Sequence, residues 1–365
     1  MNPKNWTLRQ QIERGIAAAA LLLVVIWPAA GFSAYWSHTI LAETFIFGVA
    51  AASLVFLSAY GGMVSLAQTA LFGTAGIIFG NLATEGGPGG TSKGLHLGWD
   101  PTVALVVTLV LITVIGLIGG AVASRSAGIY FLMITLTYSV IATYVLSQVT
   151  NISGFSGIGG INRYTPGWIG NLLDHPNRLY YIALGVSIFA YVVIRYLVRT
   201  PFGLSLQGVR DEPIRAASLG YNVPLHRTVA FGFAAFLAGM AGVLYAWFAG
   251  QVAPGDVDLP QTINLLIMAV IGGLVRIEGA WIGAFVFFVM QNYITTTTHV
   301  PLLGFGGTIF GGSFNTLIGI IFLAIVIVSP DGLMGLWGKL FEQGGRWSKD
   351  TGGTGSTTTA AEPAN

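Results

Sequence analysis

The sequence predicts an all-α fold: a polytopic bundle of about ten transmembrane helices with both termini in the cytoplasm. Hydrophobic residues make up 54% of its 365 residues and charged residues only 8%, against about 25% charged residues in an ordinary soluble domain. A membrane-crossing helix needs about 20 mostly apolar residues, so this content suffices for about ten spans. The composition therefore excludes a soluble globular protein.

Ten apolar runs, each bounded by charged residues or by Gly, Pro or Asn, are the candidate spans. They cover residues 16–34, 40–60, 62–82, 101–123, 128–149, 179–198, 229–250, 261–275, 279–295 and 315–330. The third run is unusually polar for a helix in lipid, because Gly62, Ser65 and Gln68 lie near its start. We expect this helix to be discontinuous and to be shielded from lipid by its neighbours.

The basic residues fall mainly on one side of these spans. Thirteen lie on the side of the termini: Lys4, Arg9, Arg14, Arg125, Arg195, Arg199, Arg210, Arg215, Arg227, Arg276, Lys339, Arg346 and Lys349. Only Lys93, Arg163 and Arg178 lie on the opposite side. Under the positive-inside rule this distribution places both termini in the cytoplasm.

The same pattern sets the domain organisation. Residues 1–15 form a cytoplasmic N-terminus, and residues 16–335 form a transmembrane domain whose longest cytoplasmic loop is 199–228. Residues 336–365 form a Gly-, Thr- and Ala-rich cytoplasmic tail that we expect to be disordered. The second to fifth and the seventh to tenth spans have opposite orientations, which is compatible with an inverted repeat. No internal self-similarity of the sequence supports such a repeat.

Several function classes are excluded by what the sequence lacks. Cysteine is absent, so there is no disulfide, thiolate metal site or cysteine nucleophile. The five histidines are scattered singly, without the spacing of metal ligands. Of the four lysines only Lys339 follows a glycine, and Leu340 comes next, so the sequence has no phosphate-binding loop. The net charge of +2 does not favour nucleic-acid binding.

The predicted spans also lack the groups that proton-coupled carriers use. Glu43 and Arg195 each lie about one turn from a span end, a position typical of interfacial residues. No Asp, Glu or His lies near the middle of a span to form a proton relay. Sodium coupling through carbonyl and hydroxyl oxygens remains open, whereas an intramembrane enzyme is not supported.

The long cytoplasmic loop contains one predicted helix, over residues 210–220. Pro213 fits the first turn of a helix, Asp211 and Glu212 complement its positive N-terminus, and Gly220 suits its end. A short helix of this kind, projecting into the cytoplasm, suits insertion into a groove on another protein. The alternative is a surface helix that merely links two spans.

At this loop the sequence resembles the LivM-type membrane subunits of branched-chain amino-acid ABC importers. The matching stretches are TPFG at 200–203, VRDE at 209–212, AASLGYN at 216–222, GGMVSL at 61–66, GIYFLMITL at 128–136, and IGG and GAWIGA at 271–273 and 279–284. The resemblance extends over about residues 40–335. It implies a permease of the bacterial cytoplasmic (inner) membrane that does no covalent chemistry.

The resemblance also implies partners. They are a homologous second permease, two cytoplasmic ATPase subunits and an extracytoplasmic solute-binding protein. ATP would be used by the partner subunits, and this chain would bind no cofactor. The 210–220 helix would be the element that couples to the ATPase, through Arg210, Asp211, Glu212, Arg215, Ala216, Leu219 and Gly220.

Uncharged polar residues are the candidates for a translocation path. An amino acid with an aliphatic side chain needs a weakly polar path without fixed charge, and hydroxyl groups beside a broken helix provide one. The candidates are Ser65, Gln68, Thr69, Thr135, Thr137, Tyr138 and Ser139. Bonding between packed helices is the alternative role for each of them.

Three alternatives remain open at this stage. Permeases of the same superfamily carry urea, short amides or sugars, so the solute can differ from leucine, isoleucine or valine. A sodium-coupled secondary carrier would act as this chain alone. A structural or receptor membrane protein would have partners but no solute flux.

Overall fold

A computed structural model describes most of the chain between residues 36 and 296. The described residues are 36–85, 94–170 and 176–296, with short helical pieces at 319–320, 322–323, 327 and 332–335. The predicted N-terminus 1–15, the first predicted span 16–34 and the predicted tail 336–365 lie outside them. Most of the last predicted span, 315–330, also lies outside the described residues.

The described chain is mostly helical, with almost no strand. Its helices are α1 (Ala42–Gly61), α2 (Gln68–Ala83), α3 (Pro101–Ala123), α4 (Ile129–Gln148), α5 (Pro176–Arg199), α6 (Pro201–Asp211), α7 (Pro213–Ser218), α8 (Val223–Ala249), α9 (Leu259–Gly272) and α10 (Glu278–Thr296). Two strands of two residues, β1 (Ile158–Gly159) and β2 (Gln251–Val252), pair antiparallel with Ile158 opposite Val252. The predicted all-α class therefore holds for the described residues.

Five helices in the described part are long and apolar enough to cross a membrane. They span Thr39–Gly61, Pro101–Ala123, Ile129–Gln148, Asn177–Arg199 and Val223–Ala249. Helix α9 is apolar but has only 14 residues, and α2 has 16. The chain is thus a polytopic helical membrane protein, while the count of ten spans and the cytoplasmic position of the termini stay predictions.

The turns between helices form two groups that lie at opposite ends of the bundle. Polar contacts connect the turns within each group. Arg195 Nη2 lies 2.7 Å from Glu278 Oε1, Arg210 donates to the Ala59 carbonyl, and the hydroxyls of Ser124 and Thr228 lie 3.0 Å apart. These contacts join the turns at 62–67, 124–128, 200–222 and 273–277, which we call the arginine-rich end.

The other turns form what we call the loop end, at 84–100, 149–170 and 250–258. There Asn81 Nδ2 donates to the Ile152 carbonyl at 2.8 Å, and the Ile161 amide donates to the Gly250 carbonyl at 3.0 Å. Of the nine arginines that the structure describes, only Arg163 and Arg178 belong to this end. Successive long helices therefore run in alternating directions.

The centre of the bundle is formed by α1, α2 and α8. In their most apolar stretches, 89% of α1 and 72% of α8 is buried within the chain, against less than 30% of α3, α4 and α5. Helix α2 is buried over nearly its whole length. The prediction that the third span is shielded by its neighbours is confirmed for the described residues.

Several helix boundaries are set by capping side chains followed by proline. Asp100 accepts a hydrogen bond from the Thr102 amide at 2.8 Å ahead of α3, and this bond lowers the pKa of Asp100. Asn222 accepts from the Leu225 amide at 3.1 Å ahead of α8. A cap with proline in the first turn fixes where a helix starts. The predicted bounds of 101–123 are therefore confirmed, whereas α8 begins six residues before the predicted 229.

Close backbone contact at glycine holds α2 against α8. A Cβ atom on Gly242 would overlap the carbonyl oxygen of Phe72. A Cβ atom on Gly73, on another side of α2, would overlap the side chain of Val257 in the turn before α9. Small residues allow such approach between helices in a membrane.

Replacing Gly242 with alanine should lower the free energy of unfolding by about 1–3 kcal/mol, because overpacking forces the backbones of α2 and α8 apart. The measurement is the thermal unfolding midpoint of the purified chain in detergent. Gly185→Ala in α5 is the control, since its Cβ would meet no atom within 4 Å. That control should leave the midpoint unchanged or raise it slightly. Equal midpoints for both variants would contradict the packing role of Gly242.

Candidate functional site

The chain is non-helical at residues 62–67, between α1 and α2, and we call this stretch the break segment. Apart from Gly62 at its start, the break segment is buried or half-buried. The predicted discontinuity of the third span is therefore present. Its first residues, 62–67, are irregular, and the short helix α2 follows them. Non-helical backbone is tolerated inside a membrane only where protein groups satisfy it.

Side chains and neighbouring backbone supply those partners. The Met63 amide donates to the Leu57 carbonyl at 3.0 Å. The Leu66 amide donates to Thr135 Oγ1 on α4 at 3.1 Å, and the Ala67 amide donates to Ser65 Oγ at 3.3 Å. Ser65 and Thr135, both predicted as path residues, thus accept hydrogen bonds from backbone amides of the break segment.

Gln68, the first residue of α2, is fully buried at the end of the break segment. Its Oε1 lies 3.1 Å from Ser53 Oγ of α1, whose one proton is shared with the Ala50 carbonyl at 2.6 Å, and its Nε2 lies 3.5 Å from Ser65 Oγ. The amide therefore joins α1 to the break segment by uncharged polar contacts. Ser53 was not predicted, because nothing in the sequence distinguishes it from a serine bonded only within its own helix.

Thr69, one residue further along α2, is the exception in this group. Thr69 as a whole is 4% exposed, and its Oγ1 is buried with no hydrogen-bond partner among the described residues. A buried hydroxyl without a partner loses free energy relative to water. Such a group is unusual enough to need an explanation.

On α4, Thr135 and Ser139 lie one turn apart on the face toward the bundle. Ser139 Oγ donates to the Val257 carbonyl at 3.1 Å and lies 3.0 Å from Thr262 Oγ1 on α9. Thr262, like Ser53, was missed by sequence reasoning. Thr137 lies on the exposed side of α4, and its only partner among the described residues is the Met133 carbonyl of its own helix. The structure does not bring Thr137 to this cluster.

An apolar cavity of about 350 Å³ adjoins the start of α2. Its wall includes Ala67 and Ala70 from this start, Gly119 from α3, Tyr138 and Ala142 from α4, and Phe231 from α8. The Tyr138 hydroxyl donates to the Gly119 carbonyl at 3.0 Å, so it bonds α3 rather than the break segment. None of the described residues that line it is charged.

The predicted coupling helix at 210–220 is wrong in its bounds. Arg210 and Asp211 close α6, which begins at the Thr200 cap, and α7 then runs from Pro213 to Ser218. Glu212 lies between the two helices with φ −141° and ψ 75°. A residue before proline is disfavoured in helical conformation, which explains the break.

The residues predicted for coupling have unequal environments. Arg210 anchors α6, because its guanidinium donates to the Ala59 carbonyl at the end of α1 and pairs with Asp211 at 2.7 Å. Ala216 is buried, whereas Glu212 and Arg215 are exposed.

The apolar side chains on and just beyond α7 point away from the bundle. Ile214 is 82% exposed and Leu219 73%. Gly220 has φ +92°, as its predicted place after the helix requires. The end of α7 thus projects from the arginine-rich end.

A protein-family comparison assigns the chain to a known group of proteins. The family described as "Branched-chain amino acid transport system / permease component" matches residues 37–329. The chain belongs to this family. Membership confirms the predicted resemblance to LivM-type permeases of this superfamily. Family members are permease components of transport systems rather than enzymes.

Curated relatives agree with this family. The chain is 27% identical to the "High-affinity branched-chain amino acid transport system permease protein LivM" of Escherichia coli K12, over 53% of this chain and 50% of the relative. It is 28% identical to the "Probable branched-chain amino acid transport permease protein LivH" of Methanocaldococcus jannaschii, over 67% of this chain and 78% of the relative. The chain thus spans about half the length of the LivM protein. No solved structure matches it.

Replacing Thr135 with valine should destabilise the permease by about 1–3 kcal/mol, because the buried amide of Leu66 loses its acceptor. The loss is measured as a lower thermal unfolding midpoint in detergent. Thr137→Val, two residues along the same helix, is the matched control and should have a much smaller effect. If the two variants unfold at the same temperature, Thr135 does not support the break segment.

Proposed function

We propose that the chain is the membrane-spanning permease subunit of an ATP-driven importer of branched-chain amino acids. The family match over residues 37–329 carries this proposal. The partners are a second, homologous permease, two cytoplasmic ATPase subunits and an extracytoplasmic solute-binding protein. The transporter lies in a bacterial cytoplasmic membrane, and ATP is bound and hydrolysed by the partner subunits.

The distribution of arginines supports the orientation. Seven of the nine described arginines belong to the arginine-rich end: Arg125, Arg195, Arg199, Arg210, Arg215, Arg227 and Arg276. Under the positive-inside rule this end faces the cytoplasm. The loop end then faces the solute-binding protein, and its segment at 149–170 is available for docking.

The projecting end of α7 supports the proposed coupling to an ATPase. A short helix with exposed apolar residues fits the helix-in-groove mode of protein recognition, with Ile214 and Leu219 as the apolar contacts. Glu212 and Arg215 add exposed charges of opposite sign beside them. Since α8 begins five residues after α7, movement of α7 passes directly into a central helix of the bundle.

The break segment supports a path without fixed charge. Hydroxyl and amide groups of Ser53, Ser65, Gln68 and Thr135 line it, and all four residues are buried. Alternating access then means that closure of the ATPase pair displaces α7, and the connected helices open the path on one side at a time. The permease itself forms no covalent bond with the solute.

Extraction of the tagged chain in mild detergent, followed by mass spectrometry, should recover a second permease and two ATPase subunits. Uptake into proteoliposomes should require ATP and the solute-binding protein. A chain recovered alone that takes up solute on a sodium gradient would overturn the proposal in favour of a secondary carrier.

Replacing both Glu212 and Arg215 with alanine should lower ATP-driven uptake roughly tenfold, the effect of losing a coupling free energy of about 1.4 kcal/mol. Membrane insertion and basal ATP hydrolysis should persist, because both side chains are exposed and do not support the bundle. Arg125→Ala, at an exposed position of another turn at the arginine-rich end, is the control. Unchanged uptake by the double variant would refute the role of α7 in coupling.

A further inference from the structure

Arg227 differs from the other arginines of the arginine-rich end. The other six are exposed, whereas Arg227, in the second turn of α8, is half-buried. Its Nε is closed to solvent and has no hydrogen-bond partner among the described residues. A charged group withdrawn from water costs free energy unless a partner compensates it. Arg227 therefore indicates an anionic ligand at this end of the bundle.

The apolar cavity begins one turn further along the same face of α8. Phe231, four residues after Arg227, lines the cavity and packs against Gly120 of α3. Residues four apart lie on one face of a helix, about 6 Å apart along its axis. Arg227 therefore lies between the cavity and the arginine-rich end.

The cavity faces the outside of the bundle between α3 and α4. Ile115 and Ile118 of α3 and Ile141 and Val145 of α4 line it, and each of them is between 43% and 63% exposed. Both helices are peripheral, since less than 30% of their most apolar stretches is buried within the chain. In a protein that crosses a membrane, this side adjoins the acyl chains of the bilayer. A lipid tail can therefore enter the cavity from the side.

The shape and the polarity of the cavity also favour an acyl chain. Its wall follows α4 from Tyr138 to Leu146, which is about 12 Å along the helix axis. The Tyr138 hydroxyl already donates to the Gly119 carbonyl, and Thr74 has the one other hydroxyl among the described wall residues. A zwitterionic solute would bring two charges to this wall without a charged partner for either. An acyl chain needs no polar partner.

We propose that this cavity binds one acyl chain of an anionic phospholipid, whose phosphate pairs with Arg227. A phospholipid has both features in one molecule, a phosphate at the membrane interface and a long apolar chain. Arginine forms strong charge-assisted hydrogen bonds with phosphate. Basic pockets between transmembrane helices bind anionic headgroups in this way. The site requires only that the chain crosses a membrane, and it does not rest on the proposed solute.

The bound acyl chain contacts the first turn of α2. Ala67, Ala70 and Leu71 line the cavity directly after the break segment. A ligand that binds only the folded state stabilises it by mass action. The phospholipid therefore stabilises the start of the short central helix from the bilayer side.

The phosphate contact is tested by mass spectrometry of the lipids that the purified permease binds, together with the subunits that accompany it. After delipidation in detergent, the protein is mixed with phosphatidylglycerol, which is anionic, or with phosphatidylcholine, which is zwitterionic. The wild-type protein should bind phosphatidylglycerol about tenfold more tightly, and Arg227→Gln should lose this preference, because hydrogen bonds between charged groups are lost. Arg227→Lys should keep most of the preference, since it keeps the charge.

Arg125→Gln is the matched control for the phosphate contact. Arg125 is exposed and follows Ser124, whose hydroxyl lies 3.0 Å from that of Thr228 at the start of α8. This variant should keep the preference for phosphatidylglycerol. An equal loss in both glutamine variants would assign binding to general attraction between arginines and anionic lipid, and would overturn the proposal. An unchanged preference in Arg227→Gln would overturn it too.

The acyl-chain contact is tested by filling the cavity with Ala142→Leu, since Ala142 lines it. Binding of both lipids should weaken about tenfold, because the larger side chain displaces roughly two methylenes of the acyl chain. Val140→Leu is the control, at an exposed position of α4 that is not among the described wall residues. It should bind both lipids as the wild type does.

Two results would refute the acyl-chain contact. One is unchanged lipid binding by a folded Ala142→Leu variant. The other is lipid binding by the permease chain alone that disappears when a second permease subunit is present. The second result would assign the cavity to the contact between subunits.

Discussion

A hydrogen bond from the Leu66 amide to the Thr135 hydroxyl satisfies the backbone at the point where this permease departs from helix inside its own core. Away from water, an unpaired amide costs several kcal/mol in a membrane. Thr135 also donates to the Leu132 carbonyl of α4, so its hydroxyl is both an acceptor and a donor of hydrogen bonds. One threonine on the peripheral helix α4 thus stabilises the break segment between the central helices α1 and α2. The polar contacts of Gln68 depend on the position of the break segment.

The position of α2 follows from the same constraint. Because residues 62–67 are not helical, α2 has only 16 residues, and its neighbours bury it over nearly its whole length. Gly242 lets α8 approach from one side, and Gly73 lets the turn before α9 approach from another. The centre of the permease is therefore assembled from short and irregular pieces, while the long apolar helices α3, α4 and α5 surround it.

Sequence reasoning succeeded where the signal is local. The family motifs, the apolar runs and the polar third span needed no knowledge of packing, and the start of α3 follows from Asp100 and Pro101. It failed where neighbours in space decide. Ser53 and Thr262 are ordinary hydroxyl residues in the sequence, and only the fold brings them to Gln68 and Ser139. Pro213 and Gly220 correctly predicted where α7 starts and ends, but Arg210 and Asp211, which the prediction included in that helix, belong to the end of α6.

Helix α8 connects the two ends of the bundle without interruption. It starts beside α7, and at its other end the Gly250 carbonyl and strand β2 hold the 149–170 loop. Its 27 residues form a rod about 40 Å long. A tilt of about 5° at one end displaces the other by roughly 3.5 Å for a rod of that length. Under the proposed function, a movement of α7 therefore reaches the loop end through one continuous helix, without a relay of side chains.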